Sequence, residues 1–416
     1  MNVLWIVNNV MSFPAREILN RNNVYGGWLE SALELIKFKC DNIIIVTINN
    51  VESNHMEKCS DENVTYYLIP SKVKNEYGSR LNMYWDIILN EFKPDIVHIH
   101  GAEYSLGLSF IENYTEYNNS IILSIQGIIA DCSRVYFGKL KRSKILSCYT
   151  IHDCIKNSLF AQKKSFERKA AIEDKYMRII HNVAGRTFYD KKFCQQYKST
   201  YYHIGEALRA PFYAPPNWHY KNIQPFSIYI SQANYPLKGF HVFLSALNIV
   251  REMIPNVQVY IGGIKMDKVS WLKKNSYQNL LSKLIQRYGL QQSVHFVGQQ
   301  NAEAVKKHLL RAHIFVLPSF IENSSNSLGE AMITGTPSIA SNVGGNAELL
   351  PITDQLYDPE DYITLSEKIL KFFTKSGESL NYISEAQRKI ANYRYDEDKI
   401  RDEYISTYEQ IIKSQK

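Results

Sequence analysis

The chain has 416 residues, is 45% hydrophobic and 21% charged, and carries a net charge of +7. Its size exceeds one ordinary core and suits two α/β domains, while its composition excludes a disordered chain. Six cysteines (Cys40, Cys59, Cys132, Cys148, Cys154, Cys194) form no Cys-x-x-Cys pair, which argues against zinc or a disulfide framework and for a reducing compartment.

In chain order, residues 2–7 already read as a buried strand. No basic start, apolar core and cleavage site precede them, so no secretory leader is expected. The apolar runs at 43–48 and 120–130 fall well short of the roughly 20 residues of a membrane-spanning helix. The protein is therefore expected to be soluble or peripheral, and cytoplasmic. Strands are predicted at 3–7, 43–48, 65–69, 96–99, 121–125 and 179–183, with helices at 25–37 and 82–92 between them. This alternation is that of a parallel sheet covered on both faces. A proline-rich stretch at 210–216 breaks the rhythm, and a linker is placed at 206–225. Further strands follow at 226–230, 257–261, 294–296, 314–317 and 337–340, and one amphipathic helix closes the chain at 396–412.

Charge is uneven. Residues 139–178 hold eleven Lys and Arg against four Asp and Glu, which accounts for the whole net charge. Such a segment is either a solvated helical face or a patch for an anionic membrane surface, where each cation contributes about 1 kcal/mol. No zinc-finger, helix-turn-helix or RNP-like signature accompanies it, so nucleic acid is not the expected partner. Gly-x-Gly-x-x-Gly, Walker A and His-Glu-x-x-His motifs are also missing.

The most informative stretch is 317–349, LPSFIENSSNSLGEAMITGTPSIASNVGGNAEL. Glu322 falls on an Asn/Ser-rich loop after a predicted strand, and Glu330 inside the following helix. Both then face the carboxyl edge of a parallel sheet, where open α/β folds bind ligands. The E-x7-E spacing, the preceding Pro-Ser and the following EAM-x-x-G-x-P-x-I-A-x-x-x-GG-x-x-E resemble the signature of family 4 glycosyltransferases of the GT-B fold.

The resemblance implies two Rossmann-like, doubly wound parallel-sheet domains: residues 1–205 on the acceptor side, and 226–395 binding a nucleotide sugar. It also implies that the last helix, 396–416, packs back on the first domain. Glu322 would contact the donor sugar and Glu330 the ribose hydroxyls. The backbone of Asn326, Ser327 and Leu328 would present a helix N-terminus to the phosphates. Lys238 and Gly239 match the family's pyrophosphate-binding Lys-Gly. Gln232 stands where the family carries an arginine, which removes one charge. Gly26 and Gly27 resemble the first-domain glycine loop, and Gly298 the turn that contacts the base.

On the acceptor side, Gln126 replaces a histidine frequent in the family. Glutamine binds a hydroxyl but is no acid or base near pH 7. His100 ends another strand of the same domain and is a second acceptor-side candidate. Arg186, in a Gly-Arg-Thr run, is a candidate for the missing cation. The Asp396-Glu397-Asp398 triplet is expected to cap the last helix rather than bind metal.

The resulting expectation is a retaining, metal-independent transferase without a cofactor. It would move a hexose-type sugar from a nucleotide-diphosphate sugar to a glycan or lipid-linked acceptor in polysaccharide assembly. A non-catalytic nucleotide-sugar-binding subunit and a GT-B epimerase are the alternatives.

Overall fold

The structure, a computed structural model, describes residues 1–21, 27–49, 55–70, 79–155, 158–266 and 274–415. The chain divides into two compact units. The first comprises residues 1–130, 168–209 and 395–416, and the second 131–167 and 210–394. The sequence-based division assigned 131–167 to the first domain by chain continuity. In the structure Tyr136, Ile145, Cys148 and Leu159 instead join the apolar core of the second unit.

The first unit is built on an eight-stranded sheet of β1 (Asn2–Ile6), β2 (Asn42–Ile48), β3 (Glu57–Asp61), β4 (Val64–Ile69), β5 (Ile96–His100), β6 (Ile121–Ser124), β7 (Asn182–Gly185) and β8 (Thr200–His203). Its order is β3-β4-β2-β1-β5-β6-β7-β8. All neighbours are parallel except β3 and β4, an antiparallel pair. The strand predicted at 179–183 begins later, because Ile179 ends the helix Leu159–Ile179. Strand β1 is fully buried from Val3 to Ile6, as a central strand of a sheet covered on both faces must be.

The last helix, Glu397–Lys413, is anchored in this unit by one buried network. Tyr408 Oη accepts from Trp5 Nε1 at 3.1 Å and lies 2.6 Å from His98 Nδ1. His98 Nε2 lies 2.7 Å from Ser124 Oγ, so both ring nitrogens are engaged. Asp396 caps the helix by accepting from the Lys399 amide at 2.8 Å, and Asp398 pairs with Arg401, so the acidic triplet serves the helix end.

The second unit holds six parallel strands: β9 (Ser227–Ile230), β10 (Gln258–Gly262), β11 (Val294–Gly298), β12 (Ile314–Leu317), β13 (Ser338–Ser341) and β14 (Leu356–Tyr357), in the order β11-β10-β9-β12-β13-β14. The chain winds outward from β9 to β11, then returns to β12 on the other side of β9. The loops leaving β9 and β12 thus lie side by side at the switch point of the sheet, on its carboxyl edge, where open α/β folds bind ligands. Among the described residues no helix is long and apolar enough to cross a membrane.

Candidate active site

The site is built where three loops of the second unit meet. After β9 the chain makes a short turn, Pro236–Lys238, and enters the helix Phe240–Met253 through Gly239 at φ +69°. A Cβ on Gly239 would lie 1.7 Å from the carbonyl oxygen of Pro318, so only glycine allows this approach. The Phe320 amide donates to Leu237 O at 2.8 Å and laces the β12 loop to the β9 loop. The β13 loop closes from the third side. Gly345 N donates to Glu322 O at 3.0 Å, and Gly344 at φ +51° lies so close that a Cβ would meet the same oxygen at 1.8 Å.

This frame brings Lys238 and Glu322 together. Lys238 Nζ lies 2.7 Å from Glu322 Oε1, and Ser319 Oγ donates to the same oxygen at 2.6 Å. The two charged side chains are 17% and 13% exposed, open enough for a ligand yet dry enough for strong electrostatics. Burial alone would lower the Lys238 pKa, but the adjacent Glu322 carboxylate outweighs it and raises the pKa above the ordinary lysine value. Lys238 is therefore a fixed cation at neutral pH.

Directly after Glu322 begins the helix Asn326–Thr334, capped by Ser325, whose Oγ accepts from Leu328 N at 3.3 Å. The Leu328 amide, expected at the phosphates, is thus taken by the cap. The Asn326 and Ser327 amides ahead of it form the positive end of the helix. Glu330 lies one turn further along and is buried. The buried side-chain nitrogen and oxygen of Asn323 and the Oδ1 of Asn326 have no hydrogen-bond partner among the described residues. Buried polar atoms left this way beside an ion pair mark a place for a polar ligand. Asn323 was not singled out from sequence, and Ser319 entered only as part of the Pro-Ser before the two glutamates, because a Ser/Asn-rich loop reads as solvated.

Other predicted residues sit at the same sheet edge. Gln232 is exposed on the β9 loop, and its Cγ lies close to Gly263. Gly298 ends β11 at φ +77°, with its amide donating to Ile264 O at 3.1 Å. The Lys265 side chain lies over it, so close that a Cβ there would meet it at 2.5 Å. Lys265 is a cation of this edge that the sequence patterns did not mark.

In the first unit, Gln126, Arg186 and Glu206 follow β6, β7 and β8 and line a small crevice with Trp28 and Tyr404. Arg186 is no free cation. It is buried and ion-paired with Glu206, and its Nη2 donates to Ile125 O at 2.8 Å and Gln126 O at 3.2 Å. It acts as a strut that fixes the backbone at Gln126, which corrects the expectation that it supplies charge to a pyrophosphate. His100 is buried against Trp5 and stacked on His98 with ring centroids 4.0 Å apart. Both its ring nitrogens lack a partner among the described residues, and burial holds its pKa well below the usual histidine range. Gly27 opens the helix Gly27–Ile36, with the Arg209 side chain so near that a Cβ would meet it at 2.9 Å. Gly26 lies outside the described residues.

Residues 219–390, which contain this whole ion-pair site, match the family model described as glycosyl transferases group 1. Two curated relatives align over shorter stretches. Protein CapJ of Staphylococcus aureus is 24% identical over 31% of this chain and 34% of its own length. A 2-deoxystreptamine N-acetyl-D-glucosaminyltransferase of Niallia circulans is 27% identical over 34% of each chain. The match thus spans about a third of the length of these relatives. Among solved structures, a sucrose-phosphate synthase of Thermosynechococcus elongatus superposes with a TM-score of 0.72, 15% identity and 99% of both chains covered. A structure described as trehalose-6-phosphate from E. coli bound with UDP-2-fluoro glucose gives 0.65 at 12% identity, with 99% of both covered. Anabaena HepE in complex with UDP and glucose gives 0.64 at 14%, covering 99% and 100%. The fold is that of the GT-B glycosyltransferases: two Rossmann-like α/β units, each on its own sheet.

Proposed function

We propose that this chain, whose residues 219–390 form a group 1 glycosyltransferase domain, moves a hexose-type sugar from a nucleotide-diphosphate sugar to a glycan or lipid-linked acceptor. The observation that carries this reading is the Lys238–Glu322 pair, set at the sheet switch point beside a capped helix N-terminus. The leaving group of such a transfer is a nucleoside diphosphate. Its developing charge needs cations and oriented N–H groups already in place. Lys238 and the Asn326 and Ser327 amides supply them, so the reaction runs without a metal. When the diphosphate binds, Lys238 turns to it from Glu322. The freed Glu322 carboxylate and the unpartnered amide of Asn323 then accept and donate hydrogen bonds at the sugar. Glu330, a buried carboxylate one turn along the helix, takes the vicinal ribose hydroxyls.

Neither acceptor-side candidate is a base that titrates near neutrality. Gln126 cannot take a proton, and His100 is enclosed in the first unit's core. The departing phosphate oxygen is then the group that receives the acceptor's proton, on the same face that the sugar leaves, which retains the anomeric configuration. The basic composition of 139–178 supports an acceptor held at a membrane, as in polysaccharide assembly. Solved relatives in the same fold were captured with UDP and glucose or a UDP-glucose analogue, so UDP-hexoses head the donors to be tried.

The test is release of nucleoside diphosphate from UDP-, GDP- and ADP-sugars, with calorimetry of the free nucleotides beside it. One donor turning over, with its nucleotide bound at least tenfold more weakly by Glu330→Ala, supports the reading. Binding without turnover of any donor makes the chain a nucleotide-sugar-binding subunit, and no binding at all removes the ribose assignment.

A further inference from the structure

The second unit presents an unusual surface at residues 141–155, distant in chemistry from the donor site. Two short helices, Arg142–Leu146 and Ile151–Ile155, and the turn between them carry four large apolar side chains facing solvent: Leu146 (57% exposed), Tyr149 (39%), Ile151 (52%) and Ile155 (76%). Ile151 and Ile155 are one turn apart and share a helix face. These side chains are not on a loose loop. Ile145 and Cys148 are buried in the core beneath them. Asn279 Nδ2 donates to Cys148 O at 2.9 Å, and Lys283 Nζ to Ser147 O at 3.0 Å. Thr150 Oγ1 donates to Lys274 O at 2.7 Å, and Ser276 Oγ lies 3.2 Å from the buried Asp153 carboxylate. The helix Ser276–Arg287 thus pins the segment from below and holds its aliphatic side chains outward.

Charge frames the same surface. Lys141, Arg142 and Lys144 are exposed and form no ion pair with a carboxylate among the described residues, and the one acid of the segment, Asp153, is buried. Some of the basic residues on either side are neutralised. Lys139 pairs with Glu360 at 3.0 Å, Lys163 pairs with Glu167, and Arg178 pairs with Asp174 at 2.8 Å. Cations without a carboxylate partner and protruding aliphatic side chains thus coincide at 141–155.

We infer that residues 141–155 are a docking face for an anionic lipid surface, with Leu146, Ile151 and Ile155 entering the headgroup boundary and Lys141, Arg142 and Lys144 lying against the anionic headgroups. Unpaired cations around outward aliphatic side chains match the two attractions such a surface offers, coulombic and hydrophobic. The docking face is tied to the donor site through its own chain. Gly138, three residues before it, accepts from His241 Nε2 at 2.9 Å and packs so close to the 236–239 turn that a Cβ would meet Pro236 O at 2.5 Å. A docked protein thereby holds its Lys238 loop at a set height over the lipid surface.

The test is co-sedimentation of the full chain with vesicles of phosphatidylcholine alone and of phosphatidylcholine with about a third phosphatidylglycerol. Binding to the anionic vesicles should exceed that to the neutral ones by at least about tenfold. The triple change Lys141→Ser, Arg142→Ser, Lys144→Ser should lower the partition coefficient about 100-fold, since each cation contributes about fivefold. The triple change Leu146→Ser, Ile151→Ser, Ile155→Ser should lower it about tenfold or more and leave the remainder fully released at 1 M salt, where the Debye length is about 3 Å. Lys163→Ser with Lys164→Ser should change it less than threefold. Thermal unfolding and soluble donor turnover should be unchanged in the two triple variants, because these side chains point to solvent. Equal binding to both vesicle types, binding to neither, wild-type partition in either triple variant, or an equal loss in the Lys163/Lys164 variant would each overturn the assignment.

Discussion

Lys238 and Glu322, 84 positions apart in the chain, form an ion pair of 2.7 Å at the end of two neighbouring strands, with Ser319 donating to the same carboxylate oxygen. The two charges balance one another, and a diphosphate must compete with Glu322 for the lysine. Glu322→Gln should therefore separate binding from chemistry. The free nucleoside diphosphate should bind roughly 3–10-fold tighter, the equivalent of about 1 kcal/mol for a partly exposed pair. Transfer should fall at the same time, because the sugar loses its carboxylate. Calorimetry beside a turnover assay checks both, and an unchanged or weaker nucleotide affinity would mean that Lys238 does not leave Glu322 for the phosphates.

Arg186 is buried in the first unit, paired with Glu206 and bonded to the backbone at Ile125 and Gln126. Arg186→Ala leaves the Glu206 carboxylate buried without its partner, which costs about 3–5 kcal/mol. The melting temperature should fall by about 10 °C, at roughly 2–4 °C per kcal/mol for a unit of this size. The double change Arg186→Met, Glu206→Leu should recover most of that loss. Nucleotide affinity at low temperature should stay within about twofold, whereas a tenfold loss would return Arg186 to the pyrophosphate.

Acid should destabilise the fold through its buried histidines. Burial depresses His98 to about 3, and His241 and His313 to about 4, from the ordinary value near 6.5. Their folded-state pKa lies below the unfolded one, so their stabilising effect is fully present above pH 6.5. It is lost as pH falls toward 4. At pH 5 each buried neutral histidine gives up about 2 kcal/mol, from 1.36 kcal/mol per pH unit over about one and a half units. Melts at pH 7.5 and pH 5.0 should show a clear drop at the lower pH, with the His98 ring still neutral by NMR. A melting temperature that is flat or rises toward pH 5 would contradict the buried, neutral assignment.

What the sequence disclosed follows from which forces are local. The central strands are continuous apolar runs, and β1, β2, β5, β9 and β12 lie where such runs predict them. Strand β3, reading EKCSD, escaped because an antiparallel edge strand needs little apolar surface. Residues 131–167 were misassigned because their unit is chosen by contacts of Tyr136 and Ile145 with distant core residues, which no local pattern encodes. Glu322, Glu330, Lys238 and Gly239 were legible through their spacing and their likeness to a family signature. The roles of Ser319, Asn323 and Lys265 were not, since a serine, an asparagine and a lysine in loops are ordinary until the fold sets them beside a charge or a glycine. The buried partner of Arg186 was equally hidden, 20 residues away in the sequence.

The most direct test of a metal-free transfer resting on Lys238 is single-turnover release of nucleoside diphosphate from the preferred donor, with excess EDTA, in wild-type protein and Lys238→Ala. The wild type should keep its full rate in the chelator. The variant should lose about 10²–10³-fold, the size of loss typical when one electrostatic contact to a developing charge is removed. A wild-type rate abolished by EDTA and restored by Mn²⁺ or Mg²⁺, or a Lys238→Ala rate within threefold of wild type, would contradict the account.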